Sequence, residues 1–240
     1  MFPLGDDNHD RERWPVVTAV LVAVNVLAFV YELVLQNESP RQLARLIAGW
    51  GVIPREFSTG EDLPPEIGLP HYVTLVTSMF LHGGWGHLLG NMLYLWIFGD
   101  NVEDRFGRVP FVIFYFATGI VASVAQILVN PGSSIPTVGA SGAISGVLGA
   151  YLVMFPRKHV RVLLFFTIIS VPSIVVIGLW ALTQFVSGAG SLGARTSETG
   201  GVAYMAHIGG FVAGVLGALV WRAMAGAPQR HSRGPWDQYR

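Results

Sequence analysis

Five long stretches of this chain carry at most one charged residue each: Pro15–Leu35, Pro110–Val129, Val138–Phe155, Val160–Val186 and Val202–Ala223. A helix rises about 1.5 Å per residue, so roughly 20 apolar residues cross the about 30 Å of hydrocarbon in a bilayer. Within lipid a backbone must satisfy its own polar groups, which leaves helices or closed barrels as the options. Runs this long and this apolar select helices. A sixth run, Trp85–Gly99, is shorter and begins with polar residues, but its charge-free part, Leu88–Gly99, is too apolar for a loop. The expectation is an all-α polytopic membrane protein, six transmembrane helices in one compact bundle.

Composition agrees. Hydrophobic residues are 52% of the chain and charged residues only 12%, about half the share usual for soluble domains. Fifteen basic and fifteen acidic residues cancel, so the basic surplus of a nucleic-acid binder is missing. The chain has no cysteine, which excludes disulfides, a thiol nucleophile and Cys-based zinc sites. The first run is too long for a signal-peptide core and lacks a small-residue cleavage pattern, so it reads as retained.

Basic residues give the orientation. With the N-terminus inside, eleven of the fifteen fall in inner segments, and Arg41, Arg45, Arg55 and Arg195 stay outside. Acidic residues split almost evenly, as the positive-inside rule allows. Both termini are therefore expected on the cytoplasmic side. The reading divides the chain into a mobile polar tail at 1–14, a membrane domain at 15–225 and a second polar tail at 226–240. The outer loop 36–82 is long enough to carry structure of its own, partly in the membrane interface.

Polar side chains inside spans are costly and mark function by default. His87 and Asn91 are four apart at the start of the second span and share a helix face. Ser141 lies between small residues in Gly139-Ala140-Ser141-Gly142 of the fourth span, and His207 precedes Ile208-Gly209-Gly210 in the sixth. Spans two, four and six all run inward from the outer face. These four polar residues thus share one depth, roughly 10 Å below the outer boundary. Gly142-x-x-x-Gly146 and Gly210-x-x-x-Gly214 are small-residue seams that let two helices approach closely. If the seams meet, Ser141 and His207 come within hydrogen-bond reach, and a neutral imidazole can take the hydroxyl proton. The Ser141 N–H, the Asn91 amide and the His87 ring are the candidate oxyanion donors. No Asp or Glu lies in those three spans, so a third member is missing and the pair is a dyad.

Each residue has a plainer reading alone. Ser141 can ease helix packing, His87 and Asn91 can bond between helices, and His207 can be a packed imidazole. Glu32, near the outer end of the first span, reads as an interfacial anchor.

At these residues the chain resembles the rhomboid family of intramembrane serine proteases. The matching blocks are His82-Gly83-Gly84-Trp85-Gly86-His87-Leu88-Leu89-Gly90-Asn91-Met92, then Phe98-Gly99-Asp100-Asn101-Val102-Glu103-Asp104-Arg105-Phe106-Gly107. They continue with Gly139-Ala140-Ser141-Gly142-Ala143-Ile144-Ser145-Gly146 and Ala206-His207-Ile208-Gly209-Gly210. The resemblance implies cleavage of peptide bonds in single-span membrane substrates, in a water-filled cavity open to the outer face. It implies Ser141 as nucleophile, His207 as general base and acid, and His87 and Asn91 as oxyanion donors. It makes Gly139 the glycine that lets a loop pass near the nucleophile, and His82 a structural histidine. It implies no cofactor or metal, a lipid bilayer as surroundings, and a multi-pass place in a prokaryotic plasma membrane. Two departures stand out. Position 145, an aromatic beneath the catalytic ring in many relatives, is serine, and the Trp-Arg pair of the first outer loop has no counterpart in His71-Tyr72-Val73-Thr74. The fifth span, with Pro172 and Gly178, is the expected gate for substrate entry.

Competing classes fit less well. An inactive, client-binding relative would lack the serine or the histidine. A metalloprotease would need His-Glu-x-x-His, and an aspartyl enzyme would need a partner for Asp100, placed here in an inner loop. In a channel, the serine and histidine would be idle.

Overall fold

The computed structural model describes residues 2–8, 11–64, 70–193 and 202–225. Element order is β1 (Phe2–Asp6), α1 (Val16–Glu38), α2 (Pro40–Trp50), α3 (Pro54–Thr59), α4 (His71–Thr77), a 3-10 turn (Ser78–Phe80), α5 (Trp85–Phe106) and α6 (Arg108–Val129). It continues with α7 (Ser141–Met154), β2 (His159–Leu164), β3 (Thr167–Pro172), α8 (Ser173–Gly193) and α9 (Tyr204–Ala225). The chain is mostly helical, and four helices are long and apolar enough to cross a membrane: α1, α6, α8 and α9. The expected C-terminal tail, 226–240, lies outside the described residues.

Helix α7 is the axis of the fold. Every residue from Gly142 to Tyr151 is buried, which explains why its sequence is apolar all round. It packs most extensively on α9, and α5 and α6 also flank it. The two seams meet there. A Cβ on Gly210 would stand 2.1 Å from the Gly142 carbonyl oxygen, and one on Gly214 only 2.0 Å from that of Gly146.

The fifth apolar run is not one helix, and the fold is not all-α. Residues 159–172 form a β-hairpin, and β1 joins it to give a three-stranded antiparallel sheet in the order β1-β2-β3. An apolar run alone does not separate strand from helix. Here β-branched residues (Val160, Val162, Ile168, Ile169 and Val171) favour strands, and only Val160 and Val162 are fully buried. Helix α8 starts just after Pro172, a residue that suits the entry to a helix rather than its middle.

The segment expected as a mobile tail is tied down. Tyr151 Oη donates to Asp6 Oδ2 at 2.5 Å, and Asn101 Nδ2 donates to the same oxygen at 2.7 Å. Arg11 pairs with Asp100 at 2.8 Å. Burial pushes the Asp6 carboxyl up to about 7, although the Tyr151 bond and Lys158 pull it down and Asp100 adds to the rise.

Asp100 is therefore not in a loop. Helix α5 runs on to Phe106 because its charged end is paired: Glu103 accepts the Val17 and Thr18 backbone N–H groups at 2.9 and 2.8 Å, capping α1. A carboxylate on the exposed donors of a helix N-terminus is stabilising twice over, by hydrogen bonds and by the helix dipole.

Segment 36–82, expected as the outer loop, carries α2, α3 and α4. It is stitched to the segment before α7 by a bridge between Val52 and Thr137, with bonds of 3.0 and 2.7 Å. Glu32 is no exposed anchor: it is buried and accepts the His82 backbone N–H at 3.1 Å.

Candidate active site

Ser141 is the first residue of α7, and no side chain caps that helix end. The first N–H groups of a helix have no partner within it and lie at the positive end of its dipole. The hydroxyl thus stands beside free backbone donors. A small cavity of about 20 Å³ adjoins it, lined by Ser141, Gly142, Gly139, Ser78, Thr137 and Ala206 among others. That is room for one water molecule beside polar groups.

His207 arrives from α9 across the glycine seam, and its Nε2 lies 2.8 Å from Ser141 Oγ. Its Nδ1 lies 2.8 Å from Gln184 Oε1 on α8. An amide oxygen only accepts, so Nδ1 carries the proton and Nε2 is left to accept from the Ser141 hydroxyl. Two aromatic rings flank the imidazole, Trp180 at 6.2 Å between centroids and Tyr204 edge-on at 6.5 Å. Position 145 is free for a different contact: Ser145 Oγ–H donates to the Ser141 carbonyl at 2.6 Å.

His87 approaches from α5. The Gly83 backbone N–H donates to its Nδ1 at 3.3 Å, so the ring proton is on Nε2. Gly139, at φ +126°, makes room for it: a Cβ there would be 2.7 Å from His87 Nε2 and 3.6 Å from Ser141 Oγ. With no side chain at 139, the His87 ring packs directly on this backbone, and any other residue would push it away. The loop is fixed there, since the Gly139 N–H donates to the Ser78 carbonyl at 2.8 Å.

Asn91, one turn beyond His87, is buried, and its Nδ2 meets His82 Nε2 at 3.0 Å. His82 Nδ1 reaches the Phe80 carbonyl at 3.3 Å, so that nitrogen donates and Nε2 accepts. Asn91 therefore presents its NH₂ to His82 and keeps a second hydrogen for another acceptor. His82 holds Asn91 while Glu32 holds the His82 backbone.

The structure brings Ser141, His207, Gly139 and His87 together and places Asn91 with His82 next to them. Gly142 and Gly210 form the seam beneath. The sequence reading missed Gln184, Trp180, Tyr204 and the inward role of Glu32. A signal for Gln184 was present. Thr183-Gln184 is a polar pair inside the fifth apolar run, and the cost of polar groups in lipid applies to it as it did to His207.

One metal-like cluster exists among the described residues, far from this chemistry in sequence: His71 lies 3.5 Å from Glu56 and 3.1 Å from Asp62 in the outer loop. Both imidazole nitrogens already face carboxylates within this loop.

Comparison with known proteins adds to this geometry. The family model described as the rhomboid domain matches residues 70–223. The chain is 32% identical over 171 residues to "Rhomboid protein 1, mitochondrial" of Saccharomyces cerevisiae, covering 68% of this chain and 47% of that protein. It is 30% identical over 158 residues to "Rhomboid-like protein 11, chloroplastic" of Arabidopsis thaliana, covering 63% and 52%. It is 43% identical over 86 residues to "Rhomboid protease GluP" of Bacillus subtilis, covering 35% and 16%. The chain thus spans about half the length or less of these relatives.

Proposed function

The chain belongs to the rhomboid family and is an integral membrane protein, and from that premise we propose that it is a serine endopeptidase that cuts membrane-protein substrates within or beside their transmembrane segments. The observation that carries this reading is the 2.8 Å contact between Ser141 Oγ and His207 Nε2 at an uncapped helix start.

In this mechanism His207 Nε2 takes the Ser141 proton as Oγ attacks the substrate carbonyl. Charge collects on the carbonyl oxygen, and three donors are at hand: the Ser141 backbone N–H, His87 Nε2–H and the second Asn91 amide hydrogen. One such donor is typically worth about 3 kcal/mol in the transition state. His207 then gives its proton to the departing amine. The acyl-enzyme is hydrolysed by water, for which the small cavity beside Ser141 has space.

Six helices cross the bilayer in this reading, with α5 and α7 added to the four long apolar ones, and both termini are cytoplasmic. The membrane domain runs over residues 15–225, and the site opens to the outer face. Substrates are single-span proteins that enter from the lipid between α5 and α8. Supporting this route, α8 packs mainly on α9, and α5 is not among its main neighbours among the described residues. A substrate helix must unwind before its carbonyl is exposed, so helix-weakening residues are expected near the cut. A prokaryotic plasma membrane is the proposed location, supported by the match to a bacterial rhomboid protease.

A fluorophosphonate probe on detergent-purified protein tests the reading. Labelling should disappear in Ser141→Ala and fall strongly in His207→Ala, while Asn91→Ala keeps labelling and loses part of its turnover. An unlabelled wild-type protein would favour a client-binding role without catalysis.

A further inference from the structure

A polar chain on α8 ends at the candidate general base. Thr183 Oγ1–H donates to the Trp180 carbonyl at 2.6 Å. Its oxygen can then accept from Gln184 Nε2, which lies 3.2 Å away. That contact places the amide NH₂ toward Thr183 and leaves Gln184 Oε1 facing His207 Nδ1 at 2.8 Å. Donor and acceptor roles follow one another without conflict from the α8 backbone to the Ser141 hydroxyl. Trp180 of the same helix adds its ring beside the imidazole. The bond that fixes the tautomer of His207 and one of the two rings that flank it thus come from α8, whereas the imidazole itself belongs to α9.

We propose that Gln184 is the positioning residue of this site, an acceptor that holds His207 as the Nδ1–H tautomer and aims Nε2 at Ser141. The inference rests on the catalytic reading above. The hydrogen bonds of Gln184 go to Thr183 and His207 and not to Ser141, so it acts through the ring. Without the acceptor, the proton is free to sit on Nε2, where it faces the hydroxyl and cannot accept from it. The ring is also free to turn about its side-chain bonds. A further consequence is mechanical. The acceptor travels with α8, so displacement of that helix from α9 releases His207, and reseating of α8 restores the competent tautomer.

Two variants of nearly equal size separate this role from packing. Gln184→Met fills the space without an acceptor, and Gln184→Glu keeps one. In proteoliposomes with a transmembrane substrate, Gln184→Met should lower kcat by about 10- to 100-fold, by analogy with the cost of removing the outer hydrogen-bond partner that orients a metal-ligating histidine. KM should stay within about twofold, and Gln184→Glu should recover kcat to within about threefold of wild type, because orientation and not substrate contact is altered. Imidazole nitrogen NMR on ¹⁵N-histidine protein in liposomes, with His207→Ala for assignment, should show Nδ1–H in wild type and a shift toward Nε2–H in Gln184→Met. Equal loss of kcat in both variants, a loss confined to KM, or a tautomer unmoved by Gln184→Met would overturn the inference. None of those results bears on whether Ser141 of the wild-type protein takes the fluorophosphonate. Failure of the wild-type protein to take the fluorophosphonate, with the Nδ1–H tautomer present, would instead overturn the catalytic reading.

Discussion

Gly210→Ala should separate Ser141 from His207 without touching either. A Cβ at position 210 would stand 2.1 Å from the Gly142 carbonyl oxygen, a backbone atom that no rotamer change can move aside. Comfortable contact between nonbonded heavy atoms begins at roughly 3.5 Å, so α9 and α7 must part by more than about 1 Å at this point. His207 is one turn from Gly210 on the same helix, and Ser141 adjoins Gly142. The 2.8 Å contact therefore opens to about 4 Å, beyond hydrogen-bond range. Misplacement by about 1 Å can cost about 100-fold in rate, equivalent to about 2.7 kcal/mol. Overpacking adds a stability loss of about 1–3 kcal/mol.

The assay pairs kcat/KM on a transmembrane substrate with the rate of fluorophosphonate labelling and a thermal melt. Gly214→Ala is the internal comparison. Its Cβ would meet the Gly146 oxygen at 2.0 Å, so the packing cost is similar, but it lies two turns from His207 and should spare more activity. Gly178→Ala, with nothing within 4 Å of its added carbon, should be silent. Wild-type turnover in Gly210→Ala, or activity losses in Gly210→Ala and Gly214→Ala that simply track their melting temperatures, would refute the claim that the seam sets the distance between serine and histidine.

Three further outcomes follow from contacts elsewhere. The Asp6 carboxyl, held near 7 when docked against an ordinary 3.8, stays protonated while the undocked acid ionises; docking of the N-terminal strand should therefore weaken as pH rises from about 4 to 7, by at most about 4 kcal/mol. Hydrogen-exchange protection of residues 2–7 should show that loss, and Asp6→Asn should flatten it. Glu32→Ala leaves the buried His82 N–H without its acceptor, so Asn91 loses its fixed position; kcat should fall several-fold with KM little changed, and Glu32→Gln should be milder. At the hairpin tip Phe165 and Phe166 are 86% and 100% exposed, which in water is costly for two aromatic rings; a spin label at Phe166→Cys, unique in this cysteine-free chain, should report lipid rather than water in nanodiscs.

What the sequence disclosed, it disclosed through cost. Charge-free runs had few ways to exist, and polar groups within them had to meet one another, so α1, α6, α9 and the proximity of Ser141 to His207 were legible. The glycine seams were legible for a related reason, since small residues at four-residue spacing leave room for only one kind of neighbour. Where cost did not discriminate, the reading failed. Residues 159–172 read as part of an apolar span because only His159-Val160-Arg161-Val162 alternates polar-out with apolar-in, and β3 exposes the apolar Ile168. The paired charges of α5 looked like a loop because Asp100 and Glu103 have partners, Arg11 and the start of α1, about ninety residues away. Gln184 escaped notice because a third member was sought among carboxylates and within three helices only, whereas a neutral amide from a fourth meets the same need.

The length of α7 connects these parts. Its 14 residues rise about 21 Å, well short of the about 30 Å of a hydrocarbon core. In the six-span arrangement proposed above, a central helix this short would place Ser141 below the membrane surface, and the chain leading to it would descend as irregular backbone. Such backbone is tolerated in a bilayer only where protein or water satisfies it. Here protein does so: Thr137 exchanges bonds with Val52, and the Gly139 N–H is taken by Ser78. Those partners belong to the outer loop and the turn before α5, the same turn whose end leads to His82 and its tie to Glu32. In that arrangement the long segment 36–82 is what would let a serine start a helix at depth. Cutting the Val52–Thr137 bridge, as in Val52→Pro, removes a buried N–H donor at a position fully shielded from solvent. It should lower fluorophosphonate labelling of Ser141 although residue 52 lies outside the site, and unchanged labelling would detach segment 36–82 from the placement of Ser141.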